Sequence, residues 1–146
     1  MRRFLFRLER VLNLSRDRER LSEVSLGEAL RATAASKEHL ERSREDFLRE
    51  SQEAMSLDGM VQARDLMVWS SRLGYLRGAI RIRVQEVAIA EEREVMQREE
   101  LMRRRRDRMV LEHLRESRLA EHVKEGLRED QQAIDEMASQ RHTGDS

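Results

Sequence analysis

Apolar residues recur at every third or fourth position through most of this 146-residue chain. That spacing places them along one face of an α-helix. In the first third of the chain they form two rows with a repeat of seven. One row is Leu12, Glu19, Leu26, Thr33, Leu40, Phe47 and Ala54. The other, dominated by small residues, is Leu8, Ser15, Ser22, Ala29, Ser36, Ser43 and Glu50. We therefore expect a helix from about Arg3 to about Ala54, with a seam that lets a second helix approach closely.

A second helix is predicted from about Met60 to about Ala138, followed by a polar tail at 139–146. Its predicted seam is Leu66, Trp69, Leu73, Leu76, Ile80, then Val84 or Val87, Val95, Met102 and Met109. Beyond Val87 the apolar spacing drifts from seven toward eleven, a drift that relaxes a left-handed supercoil. Gly74 and Gly78 indicate local weakness or a close helix contact, and a groove for a partner backbone is the alternative interpretation.

The segment Met55–Met60 is the predicted turn between the two helices, because Asp58-Gly59 is the strongest turn signal in the chain. Folding back at this point pairs residues whose numbers add up to about 116, with large residues opposite large or small ones. The predicted pairs are Phe47 with Trp69, Leu40 with Leu76, Ser43 with Leu73, Ser36 with Ile80, and Ala29 with Val87.

The predicted fold class is therefore all-α: a long antiparallel two-helix coiled-coil hairpin whose second helix is the longer. It forms one coiled-coil domain over residues 1–146. The first helix starts near residue 3, so its partner runs out near residue 113. We expect about 25 residues of the second helix, from about Arg118 onward, to project alone.

Composition fits this prediction. The chain has no proline, which permits long helices, and no cysteine, which excludes disulfides and thiolate metal sites. With 40% charged and 3% aromatic residues it has little material for a thick core, and its formal net charge is zero. No window has the apolar length of a membrane span, and Arg7, Glu9 and Arg10 interrupt the first apolar run, so we expect a soluble cytosolic protein without direct membrane insertion.

No motif indicates catalysis, a cofactor or a metal site. The glycines are scattered, and no two histidines have the i, i+4 spacing of a helical metal clamp. The basic run Arg103–Arg106 points all round a helix, acidic residues flank it, and no aromatic residue is near it. Nucleic acid is therefore not expected as a partner. An acidic protein surface or plain solvation are the two interpretations of the run. Arginines also crowd the first helix start, where they oppose the helix dipole and favour an acidic partner there.

The chain opens with Phe4-Leu5-Phe6-Arg7-Leu8-Glu9-Arg10-Val11-Leu12-Asn13-Leu14, followed after Ser15 by Arg16-Asp17-Arg18-Glu19. This opening resembles the start of FliJ-type proteins of the bacterial flagellar type III export apparatus, an aromatic-Leu-Leu pattern followed by Leu and a charged run containing Glu. A second stretch, Leu73-Gly74-Tyr75-Leu76-Arg77-Gly78-Ala79-Ile80, resembles the Leu-x-x-Ala-Ile stretch early in the second helix of that family.

The resemblance implies a non-catalytic stalk and adaptor. Such proteins are two-helix coiled coils similar to the central stalk of rotary ATPases. The two ends of the coil enter the hexameric flagellar export ATPase and promote its assembly and activity. The family also contacts the export-gate membrane protein FlhA and is reported to escort export chaperones. The expected location is then the cytoplasmic side of the inner membrane at the flagellar base. The homologous stalk of a virulence secretion system, or an unrelated coiled-coil scaffold or chaperone, are the alternatives.

Position by position, the resemblance also implies two contact surfaces. The expected ATPase-ring contact is Phe4, Leu5, Leu8, Arg10, Val11, Leu12, Arg105, Met109, Leu111, Leu114 and Arg115. The expected export-gate contact is His39, Phe47, Leu73, Leu76, Ala79 and Arg83. Several residues of the second set are also predicted seam positions, and for Phe47 and Leu76 we favour a role in the core.

Overall fold

A computed structural model describes residues 2–56 and 62–144 of the chain. Two helices make up nearly all of this part, α1 over Glu9–Met55 and α2 over Ala63–Gly144. They pack against each other, and α2 is the longer. The predicted all-α two-helix hairpin is therefore confirmed. The predicted turn at Asp58-Gly59 lies outside the described residues.

Contacts divide the chain into two compact units. One joins Met1–Arg20 to Met102–Ser146, and the other is Leu21–Leu101. Each unit contains a piece of both helices, so each has its own length of helix seam. That the chain forms one domain stays a prediction.

The two rows predicted for the first helix form its seam. Every member of both rows, from Leu8 to Ala54, is buried or half-buried. The large apolar side chains of α1 that are exposed, such as Leu21, Val24 and Leu48, lie off these rows. The repeat of seven therefore determines which face of α1 is covered.

Two polar residues in that seam are buried with their hydrogen-bonding groups satisfied. The Thr33 hydroxyl donates to the Ala29 carbonyl oxygen at 3.0 Å, one turn earlier in the same helix. Glu19 accepts a hydrogen bond from Arg108 of α2 and forms an ion pair with Arg105 of the same helix. In the described residues no buried side-chain nitrogen or oxygen lacks a hydrogen-bond partner. The seam tolerates these two polar residues because their own helix supplies a partner for Thr33 and α2 supplies partners for Glu19.

The predicted seam of the second helix is correct in its middle part, where Trp69, Leu73, Leu76, Ile80 and Val87 are half-buried. Leu66 is exposed, and the predicted drift after Val87 is wrong, because Val84, Val95, Met102 and Met109 are all about half exposed. The repeat of seven instead continues to residue 115. Its two rows, all buried or half-buried, are Trp69, Leu76, Arg83, Ala90, Gln97, Arg104 and Leu111, and Leu73, Ile80, Val87, Glu94, Leu101, Arg108 and Arg115. Long polar side chains can occupy such half-buried positions, because their methylene groups pack on apolar surface while their polar ends reach water.

The predicted pairing of the two helices is shifted by about one heptad. In the unit Leu21–Leu101, Arg72 bonds Glu50 at 2.7 Å, Arg77 lies over the Phe47 ring, and Lys37 approaches Glu91 at 3.5 Å. The numbers of these pairs add up to between 122 and 128 rather than 116. In the other unit, Glu9 with Arg115 and Arg16 with Glu112 give the same range.

The first helix starts later than predicted. Residues 2–6 are not helical, residues 7–8 form a turn, and α1 begins at Glu9. The observed first turn holds the acidic Glu9, which favours a helix N-terminus, whereas the first turn of a helix from Arg3 would hold Arg3 and no acidic residue. We call residues 2–8 the strap, because they run along α2 instead of extending α1.

The end of α2 also differs from the prediction. The helix continues to Gly144 rather than stopping near Ala138, and its last turn holds Arg141 and His142, which favour a helix C-terminus. The stretch from Arg118 to Glu125 does not project alone, since the strap lies beside it. From Leu127 to Gly144 every residue is exposed.

Candidate functional site

Contacts of Arg2 and Phe4 hold the strap against α2. The Phe4 ring packs at a tilt on the His122 ring, with centroids 5.5 Å apart, and the Arg115 guanidinium lies 5.7 Å from the centre of the same ring. His122 Nε2 lies 2.8 Å from the carbonyl oxygen of Arg2, which accepts its hydrogen bond. An aromatic side chain between a histidine and an arginine thus anchors a non-helical segment.

A cleft of 910 Å³ lies between the strap and α2. Its lining residues are Arg2, Arg3, Phe4, Leu5, Phe6, Arg7, Leu8, Leu114, Arg118, Glu121, His122 and Glu125. Four arginines against two glutamates give this lining a positive balance, and five of its residues are apolar. An apolar floor with a basic rim suits a partner segment that presents both apolar and acidic side chains.

A chain of ion pairs lies farther along the seam of the same unit. Arg108 donates hydrogen bonds to Glu19 of α1 and, at 2.7 Å, to Glu112 of its own helix. Glu112 also pairs with Arg16 at 3.4 Å, and Glu19 with Arg105 at 3.5 Å. The hydrogen bond to Glu19, with Glu112 adding to it, raises the pKa of the Arg108 guanidinium above its ordinary value. This network joins the two helices through alternating charges.

The residues expected to contact the ATPase ring fall into three groups in this unit. Leu5 is 81% exposed, and Arg10, Val11, Arg105 and Met109 are exposed as well. The half-buried group is Phe4, Leu8, Leu111, Leu114 and Arg115. Leu12 is fully buried, so it supports the surface from beneath. Whether these residues touch a partner stays a prediction.

The residues expected to contact the export gate lie in the unit Leu21–Leu101. His39 is exposed, whereas Phe47, Leu73, Leu76, Ala79 and Arg83 are half-buried. Leu73, Leu76 and Arg83 belong to the seam rows of α2. Of this set His39 is the residue most available to a partner, and the contact itself also stays a prediction.

Sequence reasoning missed His122, Arg118 and Glu112. All three lie near or beyond residue 113, where the predicted register ended the pairing of α2 with α1. A pairing one heptad farther along would have placed Phe4 beside the region of His122. The signal for that pairing was the charge pattern of α1 and α2, since the apolar pattern fits both registers.

The sequence profile described as "Flagellar FliJ protein" matches residues 4–145 of the chain, which covers both helices and the strap from Phe4 onward. The chain belongs to the FliJ family. No curated protein and no solved structure matches it significantly. FliJ proteins have a stalk-type role in flagellar protein export, as non-catalytic components, and this general role comes with the family.

The basic run of this FliJ-family chain is partly built into the fold. Arg104 occupies a seam position and is half-buried, and Arg105 pairs with Glu19. Arg106 is exposed. Therefore neither of the two interpretations, a partner site or plain solvation, applies to all four residues of the run Arg103–Arg106.

Neither a metal site nor a membrane-spanning stretch is found in the part of the chain that the structure describes. Over residues 2–56 and 62–144, no group of three or more histidine, aspartate or glutamate side chains is arranged to hold a metal ion. In the same ranges, neither helix has a stretch long and apolar enough to span a bilayer.

Proposed function

We propose that this FliJ-family chain is a stalk and adaptor of the flagellar type III export apparatus. It inserts the end formed by the strap, the start of α1 and the facing part of α2 into the hexameric export ATPase. There it promotes ring assembly and ATP hydrolysis, and it links the ring to the export gate FlhA. The chain itself is non-catalytic, and it works on the cytoplasmic side of the inner membrane at the flagellar base.

The observation that carries this proposal is the family match over residues 4–145, since it includes both helices and most of the strap rather than one short motif. The chemistry of the cleft supports it independently. A positive rim around an apolar floor, with Leu5 exposed beside it, suits acidic and apolar side chains of a partner. A stalk must bind its ring without supplying catalytic groups. A surface of apolar and basic side chains at the strap end of the chain can do so.

The test is a titration of the cognate export ATPase with the purified chain, following ATP hydrolysis. The proposal expects a saturable increase in rate together with more hexameric rings by electron microscopy. Calorimetry on the same proteins measures the affinity directly. No change in rate, with no heat of binding, would contradict the ring contact and leave the general export role to be explained by other partners.

A further inference from the structure

One face of α2 in the unit Leu21–Leu101 is apolar and exposed. It lies away from the seam with α1. Seven large side chains on it are between 54% and 76% exposed: Met67, Val68, Tyr75, Ile82, Ile89, Val95 and Met96. Val68, Tyr75, Ile82, Ile89 and Met96 follow one another at intervals of seven, as in a helix seam. We call this surface the outer face.

Two glycines on the outer face are not explained by packing within the chain. A Cβ atom added at Gly74 or Gly78 would meet no atom within 4 Å outside the local helix backbone. Glycine is the poorest helix former after proline, so each of these two residues lowers the stability of α2. A close contact with α1 is therefore not the reason for them, which leaves local weakness or a helix that approaches from outside.

The outer face matches itself when a copy of it runs in the opposite direction. With a two-fold axis between residues 81 and 82, Gly74 faces Ile89, Ala88 faces Tyr75, and at the axis itself Arg81 faces Ile82. Small residues meet large ones in the first two of these pairs. Met67 then faces Met96, and Val68 faces Val95. Alternation of small and large residues across a seam is what close helix packing requires.

Charge follows the same symmetry. In this pairing Arg64 faces Glu99 of the second copy, and the reverse pair forms at the other end. A shallow depression lined by Ile89, Glu92, Arg93, Met96 and Gln97 lies where Met67 of the second copy would enter. At ~1.5 Å per residue, the matched stretch from Met67 to Met96 is about 44 Å long.

We propose that the outer face of α2 is a self-association surface, on which a second copy of this chain packs antiparallel about a two-fold axis between residues 81 and 82. A two-fold interface needs a surface that is complementary to itself, and the size and charge pairs above meet that condition. An unrelated partner helix would need no such symmetry. The inference does not depend on the ATPase-ring contact, and it is tested on the purified chain alone.

The first experiment is sedimentation velocity of the full-length chain over a concentration series. We expect a monomer–dimer equilibrium. The double variant Ile82→Glu with Ile89→Glu should raise the dissociation constant by at least about tenfold, because it buries unpaired carboxylates in the contact. The matched control is Val24→Glu with Leu48→Glu on α1, whose replaced side chains are both 57% exposed. The control should leave the equilibrium unchanged, and circular dichroism should show equal helicity for all three proteins.

The second experiment determines orientation. The natural chain has no cysteine, so single cysteines can be introduced without background. In the antiparallel pairing, residue 78 faces residue 85 of the second copy. Oxidation of a mixture of Gly78→Cys and Gln85→Cys chains should therefore give a mixed disulfide dimer. Either variant alone should cross-link much less, since its two cysteines lie about 10 Å apart along the helices.

A charge exchange adds a third measurement. Arg64→Glu should weaken the dimer, and adding Glu99→Arg should restore it. A chain that stays monomeric at all concentrations would overturn the proposal. So would association that the Ile82 and Ile89 variant leaves intact, or cross-linking of Gly78→Cys with itself in preference to Gln85→Cys.

Discussion

At the scale of single residues, Glu19 is the clearest case of a charge that belongs to the seam. Its side chain is only 11% exposed, yet it receives hydrogen bonds or ion pairs from Arg108 and Arg105 across the helix interface. A carboxylate without partners at this position would be strongly unfavourable. Glu19 is therefore tolerated in the seam because α2 supplies two cations, and it favours the register that brings them there.

We expect Glu19→Gln to lower the free energy of unfolding by about 1–2 kcal/mol, since the amide keeps the shape but loses the charge that Arg108 faces. The loss stays below that of a fully buried pair, because Arg108 is 26% exposed and keeps Glu112. Chemical denaturation followed by circular dichroism measures it. Glu38→Gln, which removes the exposed pair with Arg42, should change stability by less than about 0.5 kcal/mol.

Replacing both partners separates charge pairing from packing. Glu19→Leu with Arg108→Leu should recover most of the stability lost in Glu19→Gln, because leucines pack in the seam and Glu112 keeps Arg16. A double variant less stable than Glu19→Gln would show that the ion pairs stabilise the seam more than packed leucines do at these two positions.

The same residues show what the sequence could and could not predict at this scale. The rows of α1 were predictable because small and apolar side chains occupy most of their positions. In α2, Arg83, Glu94, Gln97, Arg104 and Arg108 hold seam positions. A reading that assigns the seam to apolar residues follows Val84, Val95 and Met102 onto the exposed side instead. Arg108 is recognisable as a seam residue only once its carboxylate partner on α1, Glu19, is known.

At the scale of helices, the apolar pattern determines which faces pack but leaves the register ambiguous. A repeat of seven fits equally well after a shift of seven, so the pairing near 116 and the observed pairing differ by about one period. Ion pairs such as Arg72 with Glu50 distinguish the two, because charges do not repeat as the apolar residues do. The strap was likewise not predictable from periodicity, since Phe4, Leu5 and Leu8 also fit a helix.

We expect the end of α2 to be the least stable part of that helix. Residues 127–144 are exposed throughout, so little burial supports them, and an isolated helix of this length is marginal in water. Hydrogen exchange measured by mass spectrometry should show fast exchange there and strong protection around Leu101, which is buried. Equal protection in both stretches would mean that another surface covers the end of α2 in solution.

We expect Gly74→Ala and Gly78→Ala each to raise the free energy of unfolding by about 0.5–1 kcal/mol, measured at concentrations where the chain is monomeric. Alanine is the better helix former, and its methyl group meets nothing within 4 Å. At higher concentration Gly74→Ala should weaken self-association, because its methyl group faces Ile89 of the second copy.

Gly27→Ala is the matched control for this pair of effects. Its Cβ would touch only the far end of the Arg31 side chain, at 4.0 Å. It should stabilise α1 by a similar amount and leave association unchanged. If Gly27→Ala also weakened association, the weaker association of Gly74→Ala would come from the change in helix stability and not from the outer face.

At the scale of the whole molecule, the proposed adaptor needs two partner surfaces that work independently. The ring surface belongs to the unit that contains the strap, and the gate surface to the unit Leu21–Leu101. Each surface offers an exposed residue that is absent from the seam rows: Leu5 is one of several for the ring, and His39 is the one for the gate. Changing either residue should therefore affect one partner without unfolding the chain.

We expect Leu5→Asp to reduce the stimulation of ATP hydrolysis at least about tenfold at subsaturating concentration, since it puts a carboxylate on an apolar contact. Binding to the export-gate protein should be unchanged. His39→Asp should do the opposite, and Leu48→Asp, an exposed position in neither surface, should affect neither. Circular dichroism checks that all three variants keep their helicity. If one substitution weakened both partners equally, the two contacts would share a surface, and the chain would bind ring and gate in turn rather than bridge them.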